Sequence, residues 1–547
     1  MNNFLKNKKI SKPFLGLFAV LVLVFVIRSY NFSEWLYFAN DEARDAKVVR
    51  NMLTDGFEKA PLLGPKLGGT DAHLGPVYYY LLYFIGVVFQ GAEPQFFAYF
   101  SFGMLLLLIL LSYYFLTHFF DKKISFLATA VLAFSYVFAQ YARFAWNPNT
   151  LPFWTVLFFL SLYKAFFSLD SSNKGRWLLL CALVYGVSGQ LHVLALAGFP
   201  VVGIIFWFFH GTKINFRYWL GSLLVVLFLY LPLFVSDIKN NGENVNSFAK
   251  GFLEKNTEAN SDKSFLPFHS FVKIFEESGR YFVLIVSSVN SNELRCPRFV
   301  SGAAILAGLF LIFYQYFNLR KERATGKSKE KEAFVFLTIV WFFVFFIINI
   351  PIADSLNKVR YWFLMTPAYL FFLALFLDQI NKIKKIGGYL SLGSAIILIG
   401  LNLSAIDKWY ASLEKKTEMR SYRQWSSRSF KFLDMITVGE MKKIIEEMIK
   451  EKKATNSDQV YFNINTSYRR AFEYIFDYYF KESWGLNYFE LGKPFFGEGE
   501  LKNALFFSIL PTKFTESRVE EEIGDGYEIE SSKNFGALTL WKLKIKN

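Results

Sequence analysis

Four short strings in this chain bring together side chains that could do chemistry. The first is Asn40-Asp41-Glu42-Ala43-Arg44-Asp45-Ala46, in which adjacent carboxylates open a helical pattern. A carboxylate there can take a proton from an incoming hydroxyl. It can equally be structural, because acids in a first turn complement the helix dipole and Asn40 or Asp41 is a suitable N-cap. The second string, Asp71-Ala72-His73-Leu74-Gly75-Pro76-Val77-Tyr78-Tyr79-Tyr80-Leu81, reads as a turn, a proline helix start and an aromatic belt. The third, Arg143-Phe144-Ala145-Trp146-Asn147-Pro148-Asn149, is an Asn-Pro turn between helices. The fourth, Lys358-Val359-Arg360-Tyr361-Trp362, sets two cations beside two rings at the end of an apolar segment, where basic side chains often snorkel.

Positioning these strings is the task of a membrane protein. The chain has 547 residues, 53% hydrophobic and 20% aromatic, and its long apolar runs recur rather than occur once. Runs that meet the ~17–25 residues of a span lie near 14–30, 97–117, 124–141, 151–169, 177–190, 192–209, 217–235, 299–317, 333–352, 360–377 and 387–406. The fold class expected is a polytopic α-helical membrane protein with about eleven transmembrane helices. Lys6, Lys8, Lys9 and Lys12 precede the first run and no small-x-small site closes it, so it reads as a retained signal anchor.

The segment 77–89 is too short to cross, since thirteen residues rise only ~20 Å. With it lying in the interface, every basic cluster falls on the side of the N-terminus: Lys122 and Lys123, Lys174 and Arg176, Lys213 and Arg217, the run Arg320, Lys321, Arg323, Lys327, Lys329, Lys331, and Lys382, Lys384, Lys385. With it crossing, all would fall outside. The in-plane reading makes 28–96 an external loop with two interfacial helices, 41–53 and 77–89, and 236–298 a second external loop. Ala43, Ala46, Val49 and Leu53 give the first of these helices one apolar face with which to lie on the membrane. Residues 1–406 then form the membrane domain, and 407–547 a soluble external α/β domain with strands near 459–464 and 503–510, a helix over 468–480 and a hairpin over 527–545 turning near 534–536. The expected location is the inner or plasma membrane, with the N-terminus cytoplasmic.

The net charge of +15 does not indicate nucleic acid, because the cations sit in short clusters between spans. Two cysteines, Cys181 and Cys296, support neither a disulfide framework nor a CxxC metal pair. There is no internal repeat.

By the same charge argument the four strings all lie at the external level. An acid pair, cations and rings at one depth are what a site for a lipid-anchored phosphosugar needs: a base for a hydroxyl, cations for a departing phosphate, aromatic surfaces for sugar and prenyl chain. At these residues the chain resembles the GT-C superfamily of polyprenyl-phosphate-sugar-dependent glycosyltransferases, especially the branch with protein O-mannosyltransferases and the lipid A aminoarabinose transferase. The likeness runs over about 14–406: the Asp41-Glu42 pair, the His73-Leu-Gly-Pro-Val-Tyr-Tyr helix start, the Arg143-x-x-Trp-Asn-Pro-Asn turn, the Gln190-Leu-His192 turn and the Arg360-Tyr361 span.

The resemblance implies transfer of a sugar from a polyprenyl-phosphate donor to a lipid, glycan or protein hydroxyl. It puts the base at Asp41 with Glu42 in support. Arg360, Lys358, His73 and Lys66 are the candidates for the donor phosphate, and Tyr78, Arg143, Trp146, Asn147, Asn149, His192 and Tyr361 for substrate contacts. The lysine usual in the second string is replaced by the Asp71/His73 neighbourhood, and Asn147 and Asn149 stand where many relatives carry an aspartate. Neutral amides make a poor hard-metal site, which leaves a divalent metal (Mg or Mn) open. Two other classes compete. A transporter or flippase would place charges in its spans, which here are almost free of them. A non-enzymatic envelope assembly protein would need no carboxylate pair.

Overall fold

The structure, a computed structural model, describes residues 12–68, 70–168, 170–258, 267–289, 296–322, 329–355, 358–415, 436–464, 466–490 and 503–546. Lys6, Lys8, Lys9, Arg323 and Lys327 of the basic clusters lie outside them. The chain runs α1 (Lys12–Ser29), α2 (Asn40–Asp55), α3 (Val77–Phe89), α4 (Pro94–Thr117), α5 (Lys122–Ala133), α6 (Tyr136–Tyr141), α7 (Leu151–Phe167), α8 (Ser171–Leu191), α9 (Val193–His210), α10 (Phe216–Lys239), α11 (Glu243–Glu258), α12 (Pro267–Ser287), α13 (Arg298–Glu322), α14 (Lys329–Ile348), α15 (Thr366–Asn381) and α16 (Gly387–Glu414). Among the described residues eight helical segments are long and apolar enough to cross a membrane. The other three expected spans are the shorter α1, the more polar α8 and a helix broken into α5 and α6. This is a polytopic α-helical membrane protein.

Helix α15 is the bundle's centre, packed on α5, α7, α13, α14 and α16, whereas α10 leaves Phe216 and Phe228 largely exposed on a lipid-facing side. The basic ends of the helices gather at one end of the bundle, where Lys123 Nζ reaches Asn381 Oδ1 at 3.1 Å and the Gly388 carbonyl at 3.2 Å.

The sequence reads 124–141 as one helix, but the structure breaks it at Phe134-Ser135. Backbone groups freed within a bundle must be paired by protein. Here the Tyr136 N–H donates to Asn402 Oδ1 at 2.9 Å, Asn402 Nδ2 donates to the Val286 carbonyl at 2.7 Å, and Ser135 Oγ donates to the Ile285 carbonyl at 2.7 Å. Asn402 is fully buried. Replacing it with Leu leaves two buried backbone groups unpaired and is expected to cost about 1–3 kcal/mol per group, read as a lowered melting temperature in detergent.

The region 236–298, expected only as a loop, contains α11 and α12. Helix α12 was missed because its charged residues interrupt the apolar run: it is amphipathic, burying Ile274, Tyr281, Leu284 and Ile285 in the bundle while Lys273 and Glu276 lie off that face.

After α16 come α17 (Val438–Thr455), β1 (Gln459–Asn463), α18 (Arg469–Ile475), β2 (Leu486–Tyr488), β3 (Ala504–Pro511), α19 (Glu516–Ile523), β4 (Tyr527–Phe535) and β5 (Leu538–Ile545). The sheet order is β2-β1-β3-β5-β4, with β1 parallel to β2 and β3, and β5 antiparallel to β3 and β4. Gly536, at φ 78°, lets the β4–β5 hairpin turn where the sequence expects it.

This unit is fastened to the segment leading into α2. Tyr37 and Thr437 form an antiparallel bridge, the Val438 N–H donates to the Leu36 carbonyl at 3.1 Å, and the Gly439 N–H to the Glu34 carbonyl at 3.0 Å. The Asn40 N–H donates to the Ser467 carbonyl at 2.9 Å, while its side chain accepts from the Arg470 N–H at 2.9 Å and donates to the Thr466 carbonyl.

Candidate active site

The acidic string forms the first turn of α2. Asn40 and Asp41, expected as caps, do not cap it: the cap position is Ala39, and Glu42 Oε2 accepts the Ala39 N–H at 3.1 Å. Asn40 is engaged by the C-terminal unit instead. Glu42 is buried, so its geometry serves the shape of the turn. Asp41, Arg44 and Asp45 stand at i, i+3 and i+4, on one helix face. Arg44 bridges them, Nη1 to Asp41 Oδ1 at 3.3 Å and Nη2 to Asp45 Oδ1 at 2.7 Å. The two acids differ in environment: the Asp41 side chain is 42% exposed and that of Asp45 1%.

Burial pushes the Asp45 carboxyl up to about 6, with Arg44 pulling the other way. A carboxyl raised in the native state favours folding below its ordinary value of 3.8, and that contribution is lost as pH rises through about 6. Relative to Asp45→Asn, the wild-type chain is therefore expected to lose up to ~3 kcal/mol of stability between about pH 4 and pH 7, measured as the difference between their melting temperatures along that range.

The apolar face of α2 was expected to lie on the membrane. In the structure Ala43, Ala46, Val49 and Met52 are buried, and the helix packs against α3 and α18. Leu53 is only half-buried. Beneath the acids, α3 supplies Tyr78, fully buried with its hydroxyl unpaired, and Tyr79, also buried. The head of α3 is pinned by Gln190, whose Oε1 accepts the Val77 N–H at 3.3 Å. Gly75 makes this possible, because a Cβ there would collide with the Gln190 side chain.

Lys66 and His73 belong to a strap that precedes α3. They pair across an antiparallel bridge; Lys66 Nζ is 3.1 Å from Asp71 Oδ1, and His73 Nδ1 donates to the Gly64 carbonyl at 2.7 Å.

A second cluster forms around Arg360. Its guanidinium lies over the rings of Trp146, 5.2 Å from the centroid, and Tyr361, 5.0 Å, and Nη2 donates to the Tyr361 hydroxyl at 3.1 Å. Arg360 Nε is buried and unpaired. His192 meets the Tyr361 ring edge-on at 5.8 Å, and its Nδ1 accepts the Leu194 N–H at 3.3 Å. Burial, reinforced by the charge of Arg360, lowers the His192 pKa to about 3, so this ring is neutral. Lys358, half-buried, precedes the short helix Val359–Met365 that carries Arg360.

Other residues of the third string serve the backbone. Arg143 is buried and donates to the carbonyls of Arg28, Tyr30 and Asn31 at 3.1, 2.9 and 2.8 Å, closing the end of α1. Asn147 Nδ2 donates to the Leu191 carbonyl at 2.6 Å, and Asn149 Nδ2 to those of Tyr141 and Phe144 at 2.9 Å. The geometry thus gives these three structural work, and of this string it is Trp146 that meets Arg360. Rings link the two clusters: Tyr37, just before α2, meets Phe144 at 5.1 Å, and Phe144 stacks on Trp146 at 6.1 Å.

No family model and no curated protein matches the sequence. Solved structures do. ArnT from Cupriavidus metallidurans bound to undecaprenyl phosphate superposes with a TM-score of 0.56 at 10% identity, covering 96% of this chain and 97% of that one. This chain shares that protein's fold. The archaeal oligosaccharyltransferase AglB from Archaeoglobus fulgidus also matches, at a TM-score of 0.48 and 14% identity over 84% of this chain and 63% of its own.

Within this fold the described residues include no group of three or more His, Cys, Asp or Glu side chains arranged to hold a metal ion. The amides of Asn147 and Asn149 turn their donor nitrogens to carbonyls, and Arg44 occupies the Asp41–Asp45 pair. Those contacts leave Asn149 Oδ1 buried without a partner.

Proposed function

We propose that this chain is an integral membrane glycosyltransferase that moves one sugar from a polyprenyl-phosphate donor to a hydroxyl of a lipid, glycan or protein acceptor, with inversion. The observation that carries the reading is the presence, at one end of an ArnT-like bundle, of a half-exposed carboxylate held by a cation and a guanidinium stacked on two rings, linked through the rings of Tyr37, Phe144 and Trp146. That end is opposite the one where the basic helix ends gather, which supports an external site and a cytoplasmic N-terminus.

Asp41 takes the acceptor proton as the hydroxyl oxygen forms its bond to the anomeric carbon. The bond from that carbon to the phosphate oxygen breaks on the opposite face, and the electron pair leaves with the polyprenyl phosphate. Arg360 holds the negative charge that grows there, with Lys358 in reserve beside it. Arg44, anchored by Asp45, orients Asp41. Neutral His192 and the Tyr361 hydroxyl supply hydrogen bonds without adding charge. Lys66 and His73 are engaged in their own strap and serve the phosphate less well. Tyr78, beneath the acids, shapes the floor of the cleft.

The test is to incubate the purified chain with a panel of radiolabelled polyprenyl-phosphate sugars and a membrane extract as acceptor source. Consumption of one donor, with label moving to a new product, is expected; no consumption of any donor overturns the reading.

A further inference from the structure

A polar cavity of about 620 Å³ lies between the strap before α3 and the junction of α10 with α11. That volume falls within the ~300–1,000 Å³ typical of ligand sites. Its floor is built of buried polar groups: Ser236, Asp237 and Asn244 are each more than nine-tenths buried. Asp237 lines the cavity, and only one of its oxygens is used: Oδ1 accepts the N–H groups of Asn244 at 2.9 Å and Val245 at 3.3 Å, while Oδ2 accepts nothing. A buried carboxylate oxygen left without a donor is costly unless a ligand supplies one. Asn244 locks the cavity to the strap, with Oδ1 accepting the His73 N–H at 2.7 Å and Nδ2 donating to the His73 carbonyl at 3.2 Å.

The walls say what kind of ligand fits. Asn241 and Asn246 offer amides that both donate and accept, beside Asn240 and Asn244, whose amides are engaged by Ser236 and His73. The charged groups are Lys66 and Lys250 against Asp71, Asp237 and Glu243. Two cations against three carboxylates disfavour a phosphate or other polyanion, and among the described residues no Phe, Tyr or Trp lines the cavity, which disfavours a prenyl chain. A neutral or amino-bearing polyhydroxylated ligand satisfies both the amides and the idle oxygen. His73, on the cavity wall, is two residues from Gly75, which packs on Gln190, itself two residues before His192.

We infer that this cavity is the acceptor subsite, binding a neutral or amino sugar of a glycan whose hydroxyl is to be glycosylated. This rests on the glycosyl-transfer reading for its purpose, but binding can be measured without turnover. Saturation-transfer NMR on the full chain in detergent, with glucosamine, N-acetylglucosamine and glucose as probes and inorganic phosphate as competitor, tests it. At least one sugar is expected to bind saturably and phosphate not to displace it. Asn246→Trp, at an exposed position on the rim, is expected to weaken that binding by about tenfold or more. Asp237→Asn is expected to weaken glucosamine more than N-acetylglucosamine.

Absence of saturable sugar binding to the wild-type chain, equal binding by wild type and Asn246→Trp, or displacement by phosphate would each overturn the inference. Failure of the parent reading looks different: no donor is consumed by any preparation, whatever the sugars do.

Discussion

Asp41→Asn is expected to lower sugar transfer by ~10²–10⁴-fold, the span ordinarily supplied by a positioned general base, while leaving donor affinity within about threefold. The substitution keeps shape and the turn of α2, because the hydrogen bond that fixes that turn comes from Glu42, not Asp41. What it removes is the proton acceptor and one of the two carboxylates on Arg44. Folding should survive, since Asp41 is the more exposed acid of the pair and Arg44 keeps its shorter bond to Asp45. Equilibrium donor binding and single-turnover transfer, measured on the same preparations, separate the two effects. A variant that binds donor poorly but transfers normally once saturated would move Asp41 from base to binding residue.

Arg360→Met is expected to cost ~10²–10³-fold in kcat/KM, with both donor binding and the chemical step affected. Arg360 is the charge that the structure sets between Trp146, Tyr361 and His192, and His192 is held neutral and cannot replace it. Arg360→Lys should recover only part of the loss, because an ammonium lacks the planar face that lies on the two rings. Lys66→Met and His73→Gln are the informative contrasts. Both residues were candidates for the phosphate in the sequence, yet the structure engages them with Asp71 and Gly64. They should leave donor binding within about threefold. Donor titrations of the four variants side by side check this, and a larger loss in Lys66→Met than in Arg360→Met would reassign the phosphate to the strap.

The membrane fold was legible because its signals are long and redundant. Apolar runs marked where helices lie, and α3 keeps the expected bounds 77–89. Helix α12 was hidden because an amphipathic helix in the bundle has no continuous apolar run, and Lys273 and Glu276 suggested a loop. The break at Phe134-Ser135 was equally silent, since its partners Asn402 and Ile285 are far away in sequence.

At the site, residue types could be read but their occupations could not. Arg143, Asn147 and Asn149 look like substrate ligands in sequence, and only their distances to backbone carbonyls reveal the other task. Asp45 was overlooked although the i, i+4 spacing from Asp41 and the intervening Arg44 were in plain view; burial, which distinguishes the two acids, is a tertiary property. Asp237 and Asn244 carried no motif at all.

The measurement that bears most directly on the central claim is a single turnover of a donor carrying ¹³C at the anomeric carbon, followed by NMR with wild-type chain and with Asp41→Asn. The account predicts that the wild type converts the anomeric phosphate signal into a glycoside of opposite configuration, and that the variant binds donor while the signal stays put. A product of retained configuration, or equal conversion by both proteins, would contradict it.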